Sequence, residues 1–221
     1  MQNNWLVVAW ILGAYLVGGI PFGYLIGRLR GVDVRRVGSC NIGATNVFRT
    51  VGKKWGLLAF FCDVMKGLLP TLAIKASLGT RFAPDVSWSL YLPLLVGVMC
   101  VVGHMLTPYM GFKGGKGVAT AFGMLLGLVP ALVGVAFAIF ALTFALSHFI
   151  SLGSCVAALF LAIAVWFPIL GTEGRANIPQ AVLITVLSLF IVVKHRSNLR
   201  RLAKGTENKI YLFKANAQAK K

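Results

Sequence analysis

The chain has 221 residues, of which 58% are hydrophobic and only 12% charged, a composition that fits a multi-spanning membrane protein rather than a soluble domain. Its 22 Lys and Arg against 5 Asp and Glu give a formal net charge of +17. In a soluble protein that excess would suggest a nucleic-acid partner. Here the charges stand between apolar stretches, so anionic lipid and an anionic substrate are the fitting partners and nucleic acid is not.

The first apolar stretch, residues 5–27, is too long for a signal-peptide core and has no basic segment before it, so it is expected to remain as a span. The loop that follows, 28–54, carries seven basic residues: Arg28, Arg30, Arg35, Arg36, Arg49, Lys53 and Lys54. Within it, Gly38 to Arg49 reads GSCNIGATNVFR, dense in hydroxyls, amides and glycines and free of acids. Such a set donates hydrogen bonds without repelling an anion, and Arg49 can grip a phosphate through two parallel N–H groups. Standing alone it would read as a polar loop with a helix cap.

The second stretch, 56–77, contains Asp63 and Lys66 at a spacing that lets them neutralise each other inside the bundle. They read equally as a functional pair and as a brace beneath a site. The third stretch, 88–108, ends on Gly103-His104; His104, like His148, reads as a hydrogen-bonded packing residue. Next comes the most informative run, Gly111-Phe112-Lys113-Gly114-Gly115-Lys116-Gly117. Lysines at a membrane boundary need water or an anion, and glycines let backbone N–H groups come close to one just before a helix start. It is not a Walker A loop, because Met110 stands where the first glycine belongs and Gly117 follows the lysine.

Residues 118–147 are apolar for longer than one crossing needs, and Gly127, Pro130 and Gly134 interrupt them. The stretches 152–170 and 178–193 follow, the former opened by Ser151 and Ser154, which either cap that helix or contact substrate. The last stretch runs into Lys194-His195-Arg196-Ser197-Asn198, where His195 and Asn198 share a helix face if the helix continues. Arg200 and Arg201 read as a basic stop-transfer flank. From 194 onward there are nine basic residues, including Lys214, Lys220 and Lys221.

Charge sets the topology. The loop 28–54, the glycine loop and the tail hold most of the basic residues and should all be cytoplasmic. One helix over 118–147 would put the tail opposite the first loop, whereas a split near Val129-Pro130 brings all three together. The expected architecture is therefore an all-α membrane protein of seven transmembrane helices, with the N-terminus outside and the C-terminus cytoplasmic. It forms a single domain, 1–221, whose residues 205–221 are a short basic tail.

The residues that are missing narrow the chemistry. Cys40, Cys62, Cys100 and Cys155 have no paired spacing. Five scattered acids supply neither a two-metal carboxylate site nor a Ser-His-Asp set, so no metal or cofactor is expected. The H-x-x-x-x-D pattern of soluble and peripheral glycerolipid acyltransferases is also lacking, since Tyr109, Gly153 and Arg200 stand five residues beyond the three histidines.

Taken together and in order, Gly38 to Arg49, Asp63 to Gly67, Gly103-His104 with Phe112 to Thr120, Ser151 to Ser154 and Lys194 to Glu207 closely resemble the bacterial integral-membrane glycerol-3-phosphate acyltransferases of the PlsY family. The resemblance covers nearly the whole chain. It implies attack of the 1-hydroxyl of glycerol 3-phosphate on the carbonyl of an acyl phosphate, giving 1-acylglycerol 3-phosphate and phosphate, the first step of membrane phospholipid synthesis, at the cytoplasmic face of the inner membrane. No covalent acyl-enzyme is implied. Ser39, Asn41, Thr45, Asn46 and Arg49 would contact phosphate and glycerol, and Gly114, Gly115 and Gly117 would form the glycerol 3-phosphate loop. Lys113 and Lys116 would neutralise phosphate and developing charge, His195 and Asn198 would orient the attacking substrate, and Ser151 is a further contact. The proton passes either to His195 or to a substrate phosphate. One position departs from the family pattern: Cys40 stands where the family has glycine.

Two other classes compete. An organic-phosphate transporter would place its polar groups at broken helices near the membrane midplane with repeat symmetry, and a lipid-binding scaffold would not need so many Ser, Asn, Thr and Gly.

Overall fold

The computed structural model describes residues 4–78, 80, 91–169 and 177–211. The expected start of the third span at 88–90, residue 170 and the tail beyond Tyr211, with Lys214, Lys220 and Lys221, lie outside the described residues. Among the described residues every regular element is helical.

Helix α1 (Asn4–Gly19) and α2 (Phe22–Leu29) are separated at Ile20-Pro21, where proline supplies no N–H to continue the ladder. Side chains from elsewhere in the bundle take the carbonyls left at this break: Thr107 Oγ1, in the connection after α5, donates to Gly19 O at 2.6 Å and Lys66 Nζ to Ile20 O at 2.8 Å. The polar loop after α2 contains a short helix, α3 (Ala44–Thr50), and leads into α4 (Lys53–Ser77). Then come α5 (Leu92–Met105), a 3-10 turn at Pro108–Met110, α6 (Val118–Leu128), α7 (Pro130–Ser147), α8 (Ile150–Ala164), α9 (Ile178–Lys194) and α10 (Arg196–Ala203).

Among the described residues, four segments are long and apolar enough to cross a bilayer: Trp5–Leu29, Lys53–Ser77, Leu92–Met110 and Pro130–Ser147. Helix α9 reaches that length only if it is counted together with α10, from which it is bent by 51°. The long stretch 118–147 is broken where the charge distribution requires it. Helix α6 ends at Leu128 and α7 begins on Pro130, whose missing N–H costs nothing in a first helical turn. Helices α6, with 11 residues, and α8, with 15, are apolar but short. At 1.5 Å per residue they reach about 16 and 22 Å, against a hydrocarbon layer of ~30 Å.

In lipid, apolar side chains gain little by leaving one apolar surface for another, so helices are held by close backbone packing. Helix α4 meets α6 at two glycines. Gly67 lies on the carbonyl of Thr120 and Gly123 on the carbonyl of Val64, where an added Cβ would come within 2.1 and 2.0 Å of oxygen. Leu142, Leu146, Ile163 and Val186 are exposed on the outer faces, as a lipid-facing surface requires. The polar loops gather at one end of the bundle. There Arg49 reaches the carbonyl of Asn208, Lys116 reaches Asn198, and Ile210 N–H donates to His148 O at 2.9 Å.

The expected outcome for Gly123→Val is a lower thermal midpoint in detergent, because the branched side chain forces α4 and α6 apart. Gly134→Ala, with nothing within 4 Å of the added carbon, should leave the midpoint equal or higher.

Candidate active site

The glycine loop is built by packing before it is built for binding. Gly114 N–H donates to Met105 O and Gly115 N–H to His104 O, both at 3.1 Å, so the loop is pinned to the last turn of α5. Phe112 and Lys113 N–H groups are likewise taken, by Thr107 O and Met110 O. This corrects the expectation that Gly114 and Gly115 offer their N–H groups to an anion. They are glycines because a Cβ would strike the His104 carbonyl and imidazole, respectively. Gly117 has left-handed backbone, φ +85°, and turns the chain into α6, whose first-turn N–H groups have no intrahelical acceptor. The two lysines differ. Lys113 is exposed, whereas Lys116 is half-buried and its Nζ donates to Asn198 Oδ1.

The first polar loop is organised by Asn46, which is 1% exposed. Its Oδ1 accepts from Ser39 N–H at 2.9 Å, and its Nδ2 donates to Val34 O at 2.8 Å and Val37 O at 3.1 Å. Every polar atom of that side chain is engaged within the loop, so Asn46 ties together the segment that carries Ser39 and Arg49. Asn41 makes a tight turn, its Oδ1 accepting from Gly43 N–H at 2.8 Å. Ser39 is exposed and Thr45 half-exposed. Cys40 has φ +54°, the left-handed region where a side chain is strained and glycine is not, which is why glycine suits this position. The loop's one acid, Asp33, is held by Arg35 at 2.8 Å and its carboxyl stays well below the usual carboxylate range, the hydrogen bond from Arg35 outweighing burial.

Arg49, at the end of α3, donates through Nη2 to Asn208 O at 3.0 Å. Its Nε is buried and unpartnered within the protein. A buried guanidinium N–H without an acceptor is costly, and an anion is the group that would satisfy it.

The third segment centres on a residue that the sequence reading passed over as a site group. Glu207, whose side chain is 1% exposed, accepts from Asn198 Nδ2 at 2.7 Å, Ser151 Oγ at 3.1 Å and Arg201 Nε at 2.7 Å. Burial would raise this carboxyl, but the hydrogen bonds from Asn198 and Arg201 outweigh it and keep Glu207 ionised. The available signal was that Glu207 is the one acid in a tail of basic residues. Ser151 thus bonds to the tail instead of capping the helix it opens, and Arg201 is part of the cluster rather than a loose basic flank. Ser154 bonds back to Ile150 O at 2.9 Å.

His195 lies in the bend between α9 and α10, so it and Asn198 do not share one continuous helix. Its Nδ1 stands 2.8 Å from Ile191 O, a carbonyl that can only accept. The proton is therefore on Nδ1 and the lone pair on Nε2. Burial, then the Lys116 charge, pushes the imidazole down to about 4, so it is neutral near pH 7. Burial also pushes Lys116 down to about 8; Glu207 opposes the shift, while Arg201 and Arg49 add to it. Arg49, Lys116 and Arg201 thus surround one carboxylate and leave an excess of positive charge.

Beside this cluster an apolar groove runs between α4 and α6–α9. Val118, the first residue of α6, and Ile191, the residue that holds His195, line it together with Phe60, Phe122, Phe137 and Phe140. The aromatic rings form a file with centroids 5.5 to 6.3 Å apart. Ser154 and Ser188 are its polar residues.

The His195 shift carries a pH dependence. Between its ordinary 6.5 and about 4, the unfolded chain binds a proton that the folded chain refuses, so stability falls as pH drops through that window and this contribution is flat above it. Thermal midpoints measured from pH 7 to 4 should fall, and His195→Gln should flatten part of that fall.

Comparison with known proteins shows the family to which the chain belongs. Residues 8–205 match the family model described as glycerol-3-phosphate acyltransferase. The glycerol-3-phosphate acyltransferase of Trichlorobacter lovleyi is 45% identical over 207 residues, covering 93% of this chain and 97% of that one. The corresponding protein of Desulfotalea psychrophila is 44% identical over 196 residues, with 88% and 93% covered. Among solved structures, the glycerol 3-phosphate form of PlsY, an integral membrane glycerol 3-phosphate acyltransferase, superposes with a TM-score of 0.79 at 36% identity, covering 93% of this chain and 96% of that one. Its lysophosphatidic acid form gives 0.76 at the same identity. The chain belongs to the glycerol-3-phosphate acyltransferase family of integral membrane enzymes.

Proposed function

We propose that this protein transfers a fatty acyl group from acyl phosphate to the 1-hydroxyl of glycerol 3-phosphate, releasing inorganic phosphate and 1-acylglycerol 3-phosphate. The observation that carries the reading is the meeting of two unlike surfaces. A half-buried cluster of cations with an unsatisfied Arg49 Nε adjoins an apolar groove lined by phenylalanines. Both substrates bring phosphate, and one also brings an alkyl chain. The groove suits the chain, and the cation cluster suits the phosphates.

Acyl phosphate is a mixed anhydride and needs no further activation. The hydroxyl oxygen forms a bond to the acyl carbon, the bond from that carbon to the phosphate oxygen breaks, and the leaving phosphate takes the electron pair. The protein's part is to orient the two substrates and balance charge on the carbonyl and the leaving group. Arg49, Lys113 and Lys116 supply that charge, while Ser39, Asn41 and Thr45 contribute polar groups from the first loop. Neutral His195, with its lone pair on Nε2, is suited to accept the hydroxyl proton; a phosphate oxygen of the donor is the other acceptor. Asn198, held between Lys116 and Glu207, fixes the lysine, and Ser151 supports it through Glu207. No metal, cofactor or acyl-enzyme enters this scheme.

The proposed membrane arrangement has seven spans, formed by α1 with α2, α4, α5, α6, α7, α8 and α9. The N-terminus lies outside, and the site faces the cytoplasm from a bacterial inner membrane. The hydrogen bonds that join the first loop, the glycine loop, the α7–α8 connection and the tail support placing all four on one side.

Purified protein given glycerol 3-phosphate and acyl phosphate should form lysophosphatidate and phosphate, unaffected by a metal chelator and without activity toward acyl-CoA. Lys113→Ala, Arg49→Ala and His195→Ala should each lower turnover by about 100-fold or more, whereas Cys40→Gly should retain it. Absence of product with acyl phosphate, or product formed from acyl-CoA, would overturn the proposal. Tags at the two termini should be accessible from opposite faces of the membrane; accessibility from one face would reject the seven-span arrangement.

A further inference from the structure

The glycine loop rests on a buried charged group that the scheme above does not use. Asp63 and Lys66 on α4 pair at 2.7 Å with each side chain 2% exposed. Lys66 is fixed further by Ile20 O at 2.8 Å and by the ring of Phe22, 5.6 Å away. These contacts tie the pair to the break between α1 and α2. A further neighbour is His104, 5% exposed, whose Nδ1 lies 3.6 Å from Asp63 Oδ1, a packing contact too long for a hydrogen bond. The buried pair thus backs one edge of the imidazole and limits how far the ring can move away from the loop.

The opposite edge of the ring faces the loop. His104 Nε2 lies against Gly115 so closely that an added Cβ would meet it at 2.1 Å. The carbonyl of the same histidine accepts the Gly115 N–H. The next residue is Lys116, whose Nζ sits on Asn198. The path from the buried pair to the site cation is therefore Asp63, His104, Gly115, Lys116, with packing or a bond at each step.

We propose that His104 is a positioning residue for the reaction: held by the Asp63–Lys66 pair, its imidazole sets the height of the glycine loop and thereby the placement of Lys116 against the phosphate of glycerol 3-phosphate. This rests on the reading that the loop takes that phosphate. His104 touches neither substrate, and its effect is confined to the acceptor side of the site, because the apolar groove is lined by other residues.

The test separates acceptor from donor. For His104→Ala, which removes the support, and Gly115→Ala, which lifts the loop off the ring, KM for glycerol 3-phosphate should rise about tenfold or more, while KM for acyl phosphate stays within about twofold. Combining the two changes puts the new methyl into the vacated space and should recover much of the lost affinity. Calorimetric titration of each purified variant with glycerol 3-phosphate alone should show the same order without turnover. His104→Gln, which keeps bulk and a donor toward Asp63, should lie closer to the unaltered protein than His104→Ala. The inference is overturned if both KM values move together, if neither moves, or if the double variant is no better than the worse single one. Failure of the unaltered protein to turn over acyl phosphate, with glycerol 3-phosphate still bound, would instead count against the donor assigned above.

Discussion

A cluster of cations at the edge of a membrane needs something to hold it together, and here that element is the ionised carboxylate of Glu207. Its hydrogen bonds from α8 and α10 join Ser151, Asn198 and Arg201, and through Asn198 it reaches Lys116 on a loop some ninety residues earlier. The adjoining Asn208 carbonyl takes Arg49. Three stretches of chain far apart in sequence thus meet on two consecutive residues of the tail. One negative charge is enough to bring the cations together and too little to neutralise them. On the proposed reaction, the excess is left for the substrate phosphates.

Each cation is treated differently by its surroundings. Lys113 remains in solvent, where it can attract an anion without a desolvation cost. Lys116 is pushed down to about 8 by burial, so it is still mostly charged near pH 7, and an anion beside it offsets the cost of holding that charge. Arg49 stays cationic and keeps a buried Nε–H free. The three form a gradient from exposed attraction to buried grip, and the loops that carry them are fixed by hydrogen bonds that substrate does not have to make.

Much of the architecture could be read from the sequence because lipid imposes simple rules. Apolar length and interrupting Gly and Pro located the helices, and the distribution of Lys and Arg required the break at Val129-Pro130 that the fold contains. The polar cassettes also stood out against their apolar background. What could not be read was who pairs with whom. Gly114 and Gly115 looked like anion-binding backbone, yet their N–H groups go to the end of α5, a partnership visible only once the chain has folded back. Nothing in the sequence shows that Asn46 ties its own loop together. Ser151 read as either a cap or a substrate contact because it opens a helix, and nothing local signals that a tail glutamate will claim it. Local chemistry was legible, whereas allocation of each hydrogen bond depends on contacts between distant segments.

The shortness of α6 carries a consequence for how a lipid-like donor reaches the site. In a seven-span arrangement a helix of about 16 Å cannot hold both its ends at the surfaces of a ~30 Å layer. Either the outer turn at Val129 or the glycine loop sinks below the headgroup plane, and the polar partners collected around Lys116 make the loop the end equipped with compensating contacts. On the proposed reaction, the acyl phosphate would slide sideways into the groove with its tail still among the lipids and its reactive carbonyl at the depth it already occupies. Only the small water-soluble acceptor would have to leave its own phase.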